Sequence, residues 1–246
     1  MLLTRENLLT GELQRLVAQV EGVRPLTEAE LAASREAILG RHQPGQDLWV
    51  FAYGSLIWNP AFHHVEQKIA RLHGYHRRYC LWTWLGRGTP ERPGLMLGLD
   101  RGGSCAGIAY RIAAETVEQE LDVIWRREMV TGAYAPTWVR LRTEDGNLPA
   151  VAFVINHGHE RYAPRLSDPE VAAVVSIAEG HLGACRDYLF NTIAHLEQLG
   201  LRDRGLERVA SLVRELRAEH GAPAEPPASP LSAAAQEPKV VLPGSS

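Results

Sequence analysis

Apolar and polar positions along this chain follow two different periods. Before residue 47 the repeat is helical: Leu9, Leu13, Leu16 and Val20 share one helix face, and Pro25 interrupts the pattern. This predicts one or two amphipathic helices over residues 5–40, an arm closed by Pro44-Gly45. From Leu48 the apolar residues gather in short runs bounded by glycine and proline. Those runs predict strands at 48–53, 67–72, 76–84, 95–99, 106–112, 137–142 and 150–156, with one helix at about 114–130 among them. Helical patterns return at 169–179, 183–199 and 206–220.

Strands crowded before residue 157 and helices gathered after it indicate an α+β fold rather than the strict alternation of a parallel sheet. From Gly221 the composition turns to Ala, Pro, Ser and Glu, too poor in large apolar residues to offset the entropy of ordering. The expected organisation is a helical N-terminal extension over 1–46, one domain over 47–220 and a disordered tail over 221–246.

Composition changes this picture mainly by exclusion. The chain has 246 residues, 45% of them hydrophobic, which is enough to bury a substantial core in one domain with extensions. A net charge of -3, with Lys and Arg spread along the chain, gives no electrostatic reason to expect a nucleic-acid partner. The N-terminus lacks a signal-peptide pattern, and no apolar stretch reaches the roughly 20 residues that span a bilayer. No membrane partner is expected, and the location expected is cytoplasmic. Cys80, Cys105 and Cys185 are odd in number and far apart, which argues against a disulfide framework or a structural zinc site. His63-His64 and His157-Gly-His159-Glu160 resemble metal ligands but lack companions at a recognisable spacing, so no metal is expected.

The segment from Leu48 to Pro60 carries the strongest chemical signal. A strand-like run breaks at Gly54-Ser55, where glycine permits close backbone approach to a ligand and successive N–H groups can form an anion-binding nest. A strand-end glycine without a ligand would read the same way. Ser55 as a nucleophile is disfavoured, because the G-x-S-x-G elbow is absent. Glu128 falls on one helix face with Val117, Leu121 and Ile124. Burial there would raise its pKa and suit a general base, unless Arg126 or Arg127 turns back to pair with it. Gly132 would let the following chain turn so that Tyr134 points inward beside Glu128, though a strand-start aromatic packed in the core would read the same way. Arg87 and Arg92, around Gly88-Thr89-Pro90, fall in a loop for which a solvated reading is favoured over contact with a substrate carboxylate.

Taken together, several segments resemble the ChaC family of gamma-glutamylcyclotransferases. They are Val50-Phe-Ala-Tyr-Gly-Ser55, Gly74-Tyr-His-Arg-Arg-Tyr-Cys-Leu81, Arg87-Gly-Thr-Pro90, Leu97-Gly-Leu-Asp100 and Glu128-Met-Val-Thr-Gly-Ala-Tyr134. The match covers roughly residues 48–205. The resemblance implies a small mixed β-barrel with flanking helices and a cavity at one end. It also implies Glu128 as the catalytic residue, with Val50, Phe51, Ala52, Tyr53, Gly54, Ser55, Tyr134 and Tyr188 binding a small-molecule substrate. The reaction implied is cleavage of glutathione to 5-oxoproline and cysteinylglycine by intramolecular attack of the alpha-amine, which needs neither a metal nor an organic cofactor. Ala52 stands where many members carry glycine, and Asn59 where a basic residue is frequent. A wider range of gamma-glutamyl substrates, or a non-catalytic binding module on the same scaffold, are the alternatives.

Overall fold

The computed structural model describes residues 3–20, 23–84 and 86–219. The tail anticipated over 221–246 lies outside them. Three helices come first: α1 (Arg5–Leu9), α2 (Glu12–Ala18) and α3 (Glu28–Leu39). A capping box starts α3, in which the Thr27 hydroxyl accepts from the Glu30 N–H and the Glu30 carboxylate accepts from the Thr27 N–H at 2.8 Å. The arm continues into β1 (Leu48–Ala52), β2 (Glu66–Thr83), β3 (Gly94–Ile112), α4 (Val117–Glu128), β4 (Tyr134–Thr143) and β5 (Gly146–Ile155). Then follow α5 (Asp168–Ile177), the two-residue strands β6 (Glu179–Gly180) and β7 (Gly183–Ala184), α6 (Cys185–Gln198) and α7 (Arg204–Glu219).

The five long strands close into a barrel in the order β1-β3-β2-β4-β5. β5 returns to β1 as a parallel neighbour at Val50 and Val151, so no long edge is left open. Closure is the feature that strand periodicity could not supply. The mixed α+β class and the barrel agree with expectation.

Two pairs of expected strands are in fact single strands. The runs at 67–72 and 76–84 form β2, and those at 95–99 and 106–112 form β3. Gly74, which reads as a turn, has a φ of 87° and accommodates a register shift between His73 and Tyr75 while pairing continues on both sides.

Alternation along β1 divides the packing. Phe51 and Tyr53 join Leu72, Leu99, Leu141 and Ala152 in a cluster fed by all five barrel strands, the barrel interior. Val50 and Ala52 face the other way, into a larger core shared with the helices. The N-terminal arm belongs to that larger core through Leu8, Leu13, Val17, Leu31 and Ile38. It is also tied by charge: Arg5 pairs with both oxygens of Glu120 in α4, which is 1% exposed and accepts the His63 N–H at 2.8 Å. No helix among the described residues is long and apolar enough to cross a membrane.

Candidate active site

A cavity opens where β1 runs into a short 3-10 turn at Ser55–Ile57. Its wall takes Tyr53, Gly54 and Ser55 from this turn, Glu128 from the last position of α4, Tyr134 from the start of β4 and Tyr188 from α6. Gly132, with a φ of 73°, turns the chain between α4 and β4 and so brings Glu128 and Tyr134 to the same cavity.

Glu128 is the one carboxylate among the described residues that line this cavity. Its side chain is 14% exposed, and one of its oxygens lies 3.1 Å from Nε of Arg127. The Arg127 guanidinium, 4% exposed, also donates Nη2 to the Ser55 hydroxyl at 2.9 Å and Nη1 to the Asn59 carbonyl. One cation therefore fixes both the Glu128 carboxylate and the turn after β1. Burial pushes the Glu128 carboxyl above the usual carboxylate range, while Arg127 pulls against that shift. Glu128 both lines the cavity and pairs with a neighbouring arginine. Arg126 turns away to Asp122 and Glu28.

The three cavity tyrosines differ in how their hydroxyls are engaged. Tyr53 donates to the Phe153 carbonyl and Tyr134 to the Leu97 carbonyl, each at 2.8 Å. The Tyr188 hydroxyl makes no hydrogen bond among the described residues and lies against Gly54, where a Cβ would come within 3.0 Å of it. Burial pushes all three phenols well above their ordinary pKa, so they stay neutral near pH 7.

Three guanidinium groups share this cavity: Arg87, Arg127 and Arg161. The solvated reading fails for Arg87, whose Nη1 donates to the Ala184 carbonyl at 3.2 Å while the group lies 6.0 Å from the Tyr188 ring centroid. Packing of the loop after β2 against the β6–β7 hairpin draws it inward, with Leu182 N–H donating to the Gly86 carbonyl. Arg92 does remain exposed. Behind the turn, Arg77 donates Nε to the Tyr53 carbonyl at 2.5 Å, Nη2 to the Ala106 carbonyl and Nη1 to Asp203, each at 2.6 Å. Sequence reasoning passed over Arg77 and Arg161, and saw Arg127 only as an ion-pair partner. A charged residue inside a strand-like apolar run is the one local signal that Arg77 offers.

A carboxylate with a raised pKa, neutral phenols and fixed cations can move one proton and hold anionic groups. A family model described as ChaC-like protein matches residues 48–216. The chain belongs to the ChaC-like family. Among its relatives, a glutathione-specific gamma-glutamylcyclotransferase of Escherichia coli (strain K12) is 37% identical over 220 residues, covering 89% of this chain and 95% of that protein. Gamma-glutamylcyclotransferase 2-3 of Arabidopsis thaliana is 32% identical, over 70% of this chain and 91% of its own. The crystal structure of a yeast gamma-glutamyl cyclotransferase specific to glutathione shares the fold, with a TM-score of 0.66 at 20% identity, over 71% of this chain and 98% of that one.

Within this ChaC-like fold, not every residue expected to bind substrate reaches the cavity. Tyr53, Gly54, Ser55, Tyr134 and Tyr188 line it. Val50, Phe51 and Ala52 do not: each is fully buried inside β1, where strand alternation commits Phe51 to the barrel interior and its neighbours to the helix-facing core. They lie behind the turn, outside the cavity lining. The histidine motif also separates, since His157 Nε2 meets Asp100 at 2.7 Å and His159 Nε2 meets the Thr131 carbonyl at 3.0 Å. All three cysteines are free and buried, and burial pushes the thiols up, to about 12 for Cys80 and about 11 for Cys185. They are poor nucleophiles near neutral pH.

Proposed function

We propose that this ChaC-like chain is a gamma-glutamylcyclotransferase that cleaves glutathione to 5-oxoproline and cysteinylglycine, with Glu128 as the proton carrier. The observation that carries this reading is the single cavity carboxylate, its pKa raised by burial, held by the same arginine that fixes the Gly54-Ser55 turn. The names of the E. coli and yeast relatives support the substrate.

Glutathione presents an alpha-ammonium, an alpha-carboxylate and a gamma-amide carbonyl within one glutamyl group. Glu128 takes a proton from the ammonium, and the freed amine attacks the gamma-carbonyl carbon, closing a five-membered ring. The amide C–N bond then breaks as Glu128 returns the proton to the departing nitrogen, and the ring nitrogen releases its second proton to solvent to leave the lactam N–H. The nucleophile is already tethered, so the protein's work is to hold the folded conformer in which amine and carbonyl meet. Positioning of the alpha-carboxylate falls to the turn. The N–H groups of Gly54 and Ser55 make no hydrogen bond among the described residues, and Arg87 supplies charge on the Tyr188 side. The unspent Tyr188 hydroxyl is a further neutral donor for substrate oxygen.

Cytoplasmic placement belongs to the same proposal and rests on the three unpaired thiols, which suit a reducing compartment. The test is incubation of the purified chain with glutathione, followed by mass spectrometry of the products. Equimolar 5-oxoproline and cysteinylglycine are expected. Release of glutamate would mean hydrolysis, and unchanged glutathione would mean binding without turnover; either result overturns the assignment.

A further inference from the structure

Arg161 is a buried cation with no ion-pair partner among the described residues. Its residue is 9% exposed, yet its guanidinium makes no hydrogen bond or ion pair among the described residues, and Nε is buried without a partner. The backbone is pinned on both sides of it: Trp82 N–H donates to the Arg161 carbonyl at 2.9 Å and Ala163 N–H to the Cys80 carbonyl at 2.8 Å. The side chain is thereby fixed with its guanidinium carbon 5.6 Å from the Trp84 ring centroid, on the wall of the Glu128 cavity. Glu160, next to it in sequence, is exposed and forms no ion pair with it. Removing a guanidinium from water is costly unless something satisfies it, and here burial weighs against the charge. An anionic group of the bound ligand would do so.

The distribution of charge indicates which group. Of the three cavity arginines, Arg127 is engaged by Glu128, leaving Arg87 and Arg161 for two substrate carboxylates. Arg87 lies on the Tyr188 ring, next to Gly54 and the turn that receives the glutamyl end. Arg161 lies instead near Tyr134 and over the Trp84 ring. Resting on the cyclotransferase reading, we propose that Arg161 binds the terminal carboxylate of the departing part and makes the enzyme select gamma-glutamyl compounds whose leaving amine carries an acid.

The experiment compares kcat/KM for glutathione and for its glycine monoethyl ester, in the unaltered protein, Arg161→Gln and Arg161→Lys, with 5-oxoproline as readout. The unaltered protein is expected to favour the acid by roughly ten- to a hundredfold, the weight of a charge-assisted hydrogen-bonded pair. Arg161→Gln should lose most of that preference by slowing the acid alone, and Arg161→Lys should recover part of it. Equal slowing of acid and ester by Arg161→Gln overturns the proposal, because it assigns Arg161 to the glutamyl end or to the fold. An unaltered protein that handles acid and ester alike overturns it with no variant needed. A protein that makes 5-oxoproline from neither compound overturns instead the activity on which the proposal rests.

Discussion

Arg127 and Glu128 are consecutive residues at the end of α4, and their side chains meet at 3.1 Å on the wall of the cavity. Two effects oppose each other at Glu128: burial raises its pKa and the adjacent guanidinium lowers it. A general base works only when ionised, so kcat/KM should fall as pH drops through the Glu128 pKa, with a midpoint above the ordinary carboxylate range. Arg127→Gln removes the lowering influence and should move that acid limb to higher pH, while also releasing Ser55. The pH profile of 5-oxoproline formation checks the sign; a limb that moves to lower pH contradicts this electrostatic account.

Glu128→Gln preserves the shape of the side chain and abolishes its ability to take and return a proton. Loss of a positioned general base costs about two to four orders of magnitude in rate. The variant should still bind glutathione by calorimetry and keep its melting temperature close to that of the parent. Turnover at the parent rate would assign the proton transfer elsewhere.

Gly54 and Tyr188 should behave as a coupled pair. A Cβ at position 54 would sit 3.0 Å from the Tyr188 hydroxyl oxygen, so Gly54→Ala must displace either the turn or the ring. A drop in kcat/KM of about tenfold is expected, in line with about 1.4 kcal/mol of misplaced contact. In a Tyr188→Phe background, where that oxygen is gone, the same change should cost clearly less. Additive effects across the double-mutant cycle would show that the contact does not govern activity.

How much of this was legible beforehand depends on the range of the interactions involved. Glu128 was readable because helical spacing places it with Val117, Leu121 and Ile124, and the Gly54 turn because glycine interrupts an apolar run. The arginines were not readable in the same way. Arg77 acts on Tyr53 and Asp203, and Arg87 on Ala184, contacts between segments far apart in sequence. Val50, Phe51 and Ala52 show the opposite limit: a motif match marks a whole segment, but strand alternation and burial decide which of its residues line the cavity.

Arg77 and Asp203 join the turn to the start of α7. Arg77 is 2% exposed at its side chain, and Asp203 Oδ1 also accepts the Gly205 and Leu206 N–H groups. Asp203→Ala strips the carboxylate from a buried cation and uncaps the helix, and should cost about 3 kcal/mol in denaturant unfolding. Asp203→Asn, which keeps an oxygen for the cap, should cost less. Equal losses for the two would show that the cap contributes nothing.

Helix α2 supplies Leu13, Leu16 and Val17 to the cavity wall, which gives the N-terminal arm a part in the site. Leu13 and Val17 are buried in the core, so changing them would confound stability with binding. Leu16 is only partly buried, which makes it the better probe. Leu16→Asn exchanges an apolar wall for a polar one without opening a core cavity, and surface-like changes of this kind usually stay within about 0.5 kcal/mol. Melting temperature should therefore hold nearly constant while KM for glutathione rises, because the lost apolar contact lies on the substrate and not within the fold. An unchanged KM would show that α2 covers the cavity without touching what it holds; a large fall in melting temperature would place Leu16 among the core residues instead.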